Sequence, residues 1–183
     1  AVGRPDDGAQ IVWIGNLIVH HDRRALYLYK NNKGKGFIQQ ETPLNGTEPF
    51  LGLSRGSVHF ADMDNDGWLD IVSSGYGPGE GNLRIYWNNG DGTFSENQQY
   101  LYGSNDSSCS LCDLDADGYM DIVVTGFSSN KGSGAKSFYI YRNCGGRNFE
   151  MLNDLFCGFE GVDGATPSFG DVNHDGLPDI LIG

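Results

Sequence analysis

Side chains that carry oxygen stand at alternate positions of one short loop, and the chain writes that loop three times in the same register. The copies are Asp62-Met-Asp64-Asn-Asp66-Gly67-Trp-Leu-Asp70, Asp113-Leu-Asp115-Ala-Asp117-Gly118-Tyr-Met-Asp121 and Asp171-Val-Asn173-His-Asp175-Gly176-Leu-Pro-Asp179. Donors crowded this way repel one another unless a hard cation lies between them. Ca²⁺ accepts about six to eight oxygens at roughly 2.3–2.6 Å in a pliable shell, which suits a loop of this length. Glycine at the sixth position allows a sharp turn, so the main-chain carbonyl of Trp68, Tyr119 or Leu177 can also face the ion. The expected ligands of the first loop are Asp62, Asp64, Asp66, Asp70 and the Trp68 carbonyl. Those of the second are Asp113, Asp115, Asp117, Asp121 and the Tyr119 carbonyl, and those of the third Asp171, Asn173, Asp175, Asp179 and the Leu177 carbonyl. A solvated acidic turn accounts for one such loop. It does not account for three.

The loops are not EF-hands, which need a bidentate Glu at position twelve and a helix on either side. Position twelve here is Ser73, Val124 or Ile182. A β-branched run ending at a glycine follows each loop and reads as a strand. With 28 glycines in 183 residues and no long stretch of helical periodicity, the class is all-β and the length suits one domain. A formal net charge of −12 argues against nucleic acid as a partner, since phosphates require Lys and Arg. Eleven of the 24 carboxylates lie in the three loops, and three Ca²⁺ would offset about half of the net charge. No stretch approaches the roughly 20 apolar residues of a membrane-spanning helix. The chain begins at Ala1, which reads as a processed protein or a fragment.

Cys109, Cys112, Cys144 and Cys157 permit three disulfide pairings, and the sequence does not choose among them. Asn45-Gly-Thr47 and Asn105-Asp-Ser107 fit the N-glycosylation acceptor pattern. Calcium demand, an even cysteine count and two acceptor triplets agree on an extracellular setting, secreted or at the cell surface.

Self-similarity extends beyond the loops. An aromatic-rich strand, an Asn-Gly turn and a Phe-centred strand recur as Leu26 to Asn32 with Phe37, Leu83 to Gly90 with Phe94, and Phe138 to Gly145 with Phe149. Asn and Gly supply positive-φ positions for tight hairpins. The post-loop strands begin at Ile11, Ile71, Ile122 and Ile180, spaced by 60, 51 and 58 residues. Four short strands per unit at this period define β-propeller blades, so the expected fold is all-β, with four-stranded antiparallel blades in an incomplete propeller. The units are a partial blade over 1–50, blades over 51–103 and 104–160, and a partial blade over 161–183.

This pattern resembles the FG-GAP/VCBS repeat family, the calcium-binding propeller blades of integrin α-chains, some fungal lectins and many secreted adhesins. The residues that carry the resemblance are Phe60-Ala61-Asp62 through Val72, Leu111-Cys112-Asp113 through Val123, and Phe169-Gly170-Asp171 through Leu181. It departs at Pro5-Asp6-Asp7-Gly8-Ala9-Gln10, a shortened remnant to which no fourth site is assigned. The first unit is expected to lack its first strand and loop, and the last unit its final two strands. Closed propellers take about four to eight blades. Open faces, such as those bearing Leu26, Leu28, Ile180 and Ile182, and unpaired strand edges therefore ask for partners. These are other copies of the chain, in a ring or filament, or further blades of a longer chain.

Other motifs carry less. Gly52-Leu-Ser54-Arg-Gly56 matches a nucleophile elbow, but a β-run rather than a helix follows it. Adjacent His20 and His21 diverge on a strand and read as a solvated loop pair, and Gly75 to Gly81 as a flexible connector. With the Asp donors committed to a cation, no catalytic constellation remains and the chain reads as a non-enzyme. Two functions follow: a calcium-binding structural or adhesion module that assembles, or a propeller lectin stacking glycans on Trp13, Trp87, Tyr76 or Tyr102.

Overall fold

The computed structural model describes residues 10–14, 17–22, 25–77, 81–128, 135–152, 161–162 and 164–183. Four antiparallel sheets follow one another along the chain, and among the described residues every regular element is a strand. The first sheet runs β1 (Gln10–Ile14), β2 (Leu17–Asp22), β3 (Ala25–Asn31) and β4 (Phe37–Gln40), with β5 (Phe50–Leu51) also on β3. In the second, β6 (Ser54–Ala61), β7 (Asp70–Tyr76) and β8 (Gly81–Asn88) pair in turn, and β8 carries both β9 (Phe94–Glu96) and β10 (Leu101–Tyr102). The third is β11 (Asn105–Cys112), β12 (Asp121–Ser128), β13 (Ala135–Asn143) and β14 (Phe149–Met151). The fourth holds β15 (Pro167–Gly170) and β16 (Asp179–Ile182). The order is that of propeller blades that do not close into a ring.

Alternation along each third strand explains the stacking, since neighbouring side chains face opposite ways. On β8, Ile85 and Trp87 join Ile122, Val124 and Tyr141 in a core between the second and third sheets. Tyr86 turns the other way, into a core with Leu26, Leu28, Phe50 and Ile71 between the first and second. Val123, Phe138 and Ile140 form the third interface, against Phe169, Ile180 and Ile182. Leu26, Leu28, Ile180 and Ile182 are therefore not open faces as the sequence suggested; each packs against the adjoining sheet. The open apolar side chains of the fourth sheet are on its other side, Leu181 at 73% exposed, and in its loop, Val172 at 79%.

Three other expectations change. Ile11 lies in β1, at the outside of the order β1–β2–β3–β4, so the first sheet has a strand in its first position and pairs β2, not β1, with β3. His20 and His21 belong to β2, opposite Tyr27 and Leu26, rather than to a loop. Gly75 and Gly81 are strand residues of β7 and β8, not a connector; residues 78–80 lie outside those described.

Neighbouring sheets are also clasped by polar bonds. The Leu51 N–H at the end of the first sheet donates to the Tyr86 hydroxyl of the second at 3.2 Å. One sheet further on, Tyr141 accepts from the Tyr102 N–H at 2.7 Å and its hydroxyl donates to the Tyr102 carbonyl at 3.0 Å. The Cys109 N–H donates to Ser57 Oγ at 2.7 Å, joining β11 to β6. Both strands open with a register shift, at Ser54/Ser57 and Asn105/Ser108. Arg55 (φ 51°) and Asp106 (φ 46°) sit in the two bulges and pair at 3.4 Å. The elbow-like Ser54 is thus the start of a bulged strand. Cys109, Cys112 and Cys144 carry free thiols, and Cys157 lies outside the described residues. Cys109 is buried, which pushes its thiol up to about 12 and leaves it unreactive.

Candidate metal centre

Each Asp loop joins the first strand of a sheet to the second, and the three backbones repeat closely. The fourth position is left-handed in all of them: Asn65 (φ 60°), Ala116 (58°) and His174 (63°). The sixth is Gly67 (90°), Gly118 (91°) or Gly176 (89°), where a side chain would be strained. This double reversal aims consecutive N–H groups inward. Asp62 Oδ1 accepts from Asp66 N at 3.0 Å and its Oδ2 from Gly67 N at 2.9 Å. Asp113 repeats the pair with Asp117 N and Gly118 N at 3.1 and 2.9 Å, and Asp171 with Asp175 N and Gly176 N at 3.2 and 2.9 Å. The Trp68, Tyr119 and Leu177 N–H groups donate to Asp66, Asp117 and Asp175.

The closing Asp has a structural task that spacing alone does not disclose. Asp70 is fully buried, and its oxygens accept from Met63 N at 2.9 Å and from Asn88 N, at the end of β8, at 2.8 Å. Asp121 does the same with Leu114 N and Asn143 N, both at 2.8 Å. This carboxylate fixes the loop to the third strand of its own sheet.

The residues fit a cation. Oxygens of Asp62, Asp64 and Asp70 lie within 4.8 Å of one another, as do those of Asp113, Asp115 and Asp117. Asp64 is 9% exposed and its Oδ1 is buried with no hydrogen-bond partner. A buried anionic oxygen without a donor is costly, and a cation removes that cost. Burial, opposed by the two N–H bonds and reinforced by Asp64 and Asp66, pushes the Asp70 carboxyl up to about 6 in the absence of an ion. Asp121 is raised in the same direction, again mainly by burial. Ca²⁺ would supply positive charge that holds these acids ionised and cross-links the loop.

Guanidinium groups take part of the charge. Arg142, on β13, lies 2.6 Å from Asp115 and 4.0 Å from Asp117 in the loop of its own sheet. Arg147 reaches from the third sheet to Asp64 of the first loop at 2.8 Å and lies 4.9 Å over the Trp87 ring. Asn143 Nδ2 donates to the Met63 carbonyl at 2.7 Å, and Asn65 Nδ2 to the Gly118 carbonyl at 3.0 Å. The first loop is thereby tied to the sheet beyond it. Sequence reasoning assigned the Asn-Gly turns to backbone conformation and did not find these side-chain roles.

The side chain of the seventh residue packs on a turn glycine in the first two loops. The Trp68 ring lies so close to Gly90 that a Cβ there would come within 3.0 Å, and Tyr119 covers Gly145 in the same way at 3.1 Å. Leu177 is 44% exposed. In the third loop Asn173 turns its amide on a neighbour, Nδ2 donating to Asp175 Oδ2 at 3.0 Å while Oδ1 accepts from Asp175 N at 2.9 Å.

Of the aromatic residues expected to stack glycans, Trp87 is 2% exposed and belongs to the core, Tyr76 is half-buried and Tyr102 is 40% exposed. The Trp13 side chain lies outside the described residues. The two acceptor triplets separate as well. Asn45 is exposed in a turn, while the Oδ1 of Asn105 is buried at the start of β11.

Successive antiparallel sheets with an Asp loop between their first and second strands define a propeller-type repeat protein. The chain belongs to the FG-GAP-like repeat family, whose pattern matches residues 6–73, 62–124 and 113–182. Each match starts at one loop and ends on the strand after the next, and the first starts in the shortened Asp-Gly remnant. The chain is also similar to integrin alpha-3 of Cricetulus griseus, 26% identical over 185 residues. That alignment covers 90% of this chain and 17% of the relative, so the chain spans about a sixth of that protein's length. Among the described residues no helix is long and apolar enough to cross a membrane.

Proposed function

We propose that the chain is a non-enzymatic extracellular module whose three Asp loops bind Ca²⁺ and stiffen a stack of propeller sheets for assembly or adhesion. The ligands are Asp62, Asp64, Asp66, Asp70 and the Trp68 carbonyl, with the corresponding residues of the second and third loops. The observation that carries this reading is the buried, unpartnered Asp64 Oδ1 inside a cluster of acids. Asp70 and Asp64 couple the ion to two sheets at once, since one braces the loop to β8 and the other meets Arg147. Ion binding at 100 times Kd adds about 2.7 kcal/mol per independent site. Melting should therefore rise clearly between chelator and millimolar Ca²⁺, and identical curves would sink the proposal.

The partners we infer are sheets of the same kind, in other copies of the chain or in a longer chain. Leu181 and Val172, exposed beside the two-stranded fourth sheet, support this, because an open edge and an apolar face invite strand addition. Sedimentation in Ca²⁺ tests it. Rings, filaments or larger particles are expected, and a monodisperse 19.9 kDa monomer overturns it.

A further inference from the structure

We infer that the cleft between the first and second sheets, beside the first Asp loop, is a binding site for a small organic carboxylate with an apolar body. Its ligand is met by side chains alone, and the calcium reading is tested separately by melting. The cleft has a volume of about 750 Å³, within the roughly 300–1,000 Å³ of small-molecule pockets. Its walls are apolar: Leu28 of β3, Phe60 of β6, Phe94 of β9, and Trp68 and Leu69 of the loop. Trp68 and Leu69 are each more than half exposed.

The cleft exists because one sheet interface is filled at this point and the other is not. The hairpins after β8 and β13 pair alike, Asn88 opposite Phe94 and Asn143 opposite Phe149. Four residues beyond those asparagines stand Gly92 and Arg147. Arg147 lies over Trp87 of the preceding sheet and ends on Asp64 in that sheet's loop. One interface earlier, Lys30 takes the place of Trp87 and Gly92 that of Arg147. A Cβ on Gly92 would have a single neighbour, the Lys30 Nζ at 4.0 Å. No Asp loop stands between β1 and β2, so an arginine here would find no carboxylate to meet. The space taken by a ring and a guanidinium in one interface is open in the other.

The charge at the opening is positive. Lys30 and Lys33 line it, and with Lys35 of the same hairpin they are three of the chain's five lysines. Neither Lys30 nor Lys33 forms an ion pair with a described residue. Asp91, beside Gly92, is already engaged, its Oδ1 accepting from Thr93 N at 2.8 Å and Oγ1 at 2.7 Å. Asn88 is engaged too, donating to the Leu69 carbonyl and accepting from the Gly90 N–H. Two unpaired ammoniums at the mouth of an apolar cleft, in a chain of net charge −12, select an anionic head on an apolar body. The walls are set before a ligand arrives. The Trp68 ring rests on Gly90, and Phe94 stands edge-on to Phe50 at 5.4 Å and 74°. A site fixed in this way loses little freedom on binding.

The experiment titrates the full chain in Ca²⁺ with phenylpropionate, indoleacetate and octanoate, and with the primary amide of each, by calorimetry and saturation-transfer NMR. One saturable site with a Kd of about 0.1–1 mM is expected for at least one acid. Its amide should bind about fivefold more weakly, since it keeps the apolar contacts and loses the charge. Lys30→Gln together with Lys33→Gln should weaken the acid by about the same factor and leave the amide unchanged. Melting of that variant should match wild type, because both lysines are exposed. Trp68→Ala should weaken acid and amide alike. Absence of saturable binding by all three acids overturns the inference, as does equal affinity for acid and amide, or wild-type affinity for the acid in the double lysine variant.

Discussion

Arg147 and Asp64 belong to different sheets, 83 residues apart, and meet at 2.8 Å with the guanidinium lying over Trp87. The carboxylate that faces the proposed ion through Oδ1 is thus held through Oδ2 by the neighbouring sheet. Arg147→Ala should cost about 1 kcal/mol in Ca²⁺, allowing for the partial exposure of the guanidinium. The cost should grow in chelator, where Asp64 loses its last counter-charge. Chemical denaturation under both conditions measures this, and an equal or smaller cost in chelator would contradict the coupling.

The third loop should bind Ca²⁺ most weakly. Asn173 brings a neutral oxygen in place of a carboxylate, and its amide already engages Asp175 from both sides. Pro178 stiffens the loop and offsets part of the loss. Titration of Asp66→Ala, Asp117→Ala and Asp175→Ala variants should show the smallest loss of total affinity for Asp175→Ala. If that variant loses the tightest site, rigidity outweighs charge.

Asp70→Asn should be more damaging than its similar shape suggests. Both oxygens of Asp70 accept main-chain N–H bonds, and an amide nitrogen in place of one oxygen would face a donor with a donor. A buried N–H left unsatisfied costs about 1–3 kcal/mol. In saturating Ca²⁺ the lost charge adds to that cost. A variant as stable as wild type there would remove the bracing role given to Asp70.

Stability at saturating Ca²⁺ should fall as pH drops below neutrality, and His59 should supply part of the slope. Burial holds its imidazole below the usual 6.5, against the opposing bond to Cys109, and Nε2 has no partner. A depressed value means the stabilising contribution is present above 6.5 and is lost as pH falls, because the unfolded chain takes the proton first. His59→Gln should flatten the melting profile between about pH 7.5 and 5.5. An unchanged slope would assign the effect to other groups.

The Asp loops and the strands after them were legible because a repeated spacing of like charges has few physical explanations. The third strands were legible through their Asn-Gly turns, and Leu26 and Leu28 through alternation. Which sheet buries those leucines was not, because alternation names a face and not the neighbour on it. Nor did spacing reveal that Asp70 spends both oxygens on N–H groups, since a ligand and a brace have the same residue type. Gly90 and Gly145 read as turn glycines, and their second purpose, making room for Trp68 and Tyr119, needs the fold to be seen. The extra strand of the first sheet was missed because Gln10–Ile14 and Leu17–Asp22 carry no Asp loop between them.

The tyrosine clasps set a direction to the architecture. The last short strand of the first sheet is held by Tyr86 of the second, and that of the second by Tyr141 of the third. The first and second sheets are therefore each finished by their successor, like the teeth of a zip fastener locked by the ones behind them. Cutting the chain at a blade boundary would not yield a clean unit; it would unfasten the end of the preceding one. A piece that keeps one sheet closed must therefore carry the whole of the sheet that follows, with Tyr86 or Tyr141 in it.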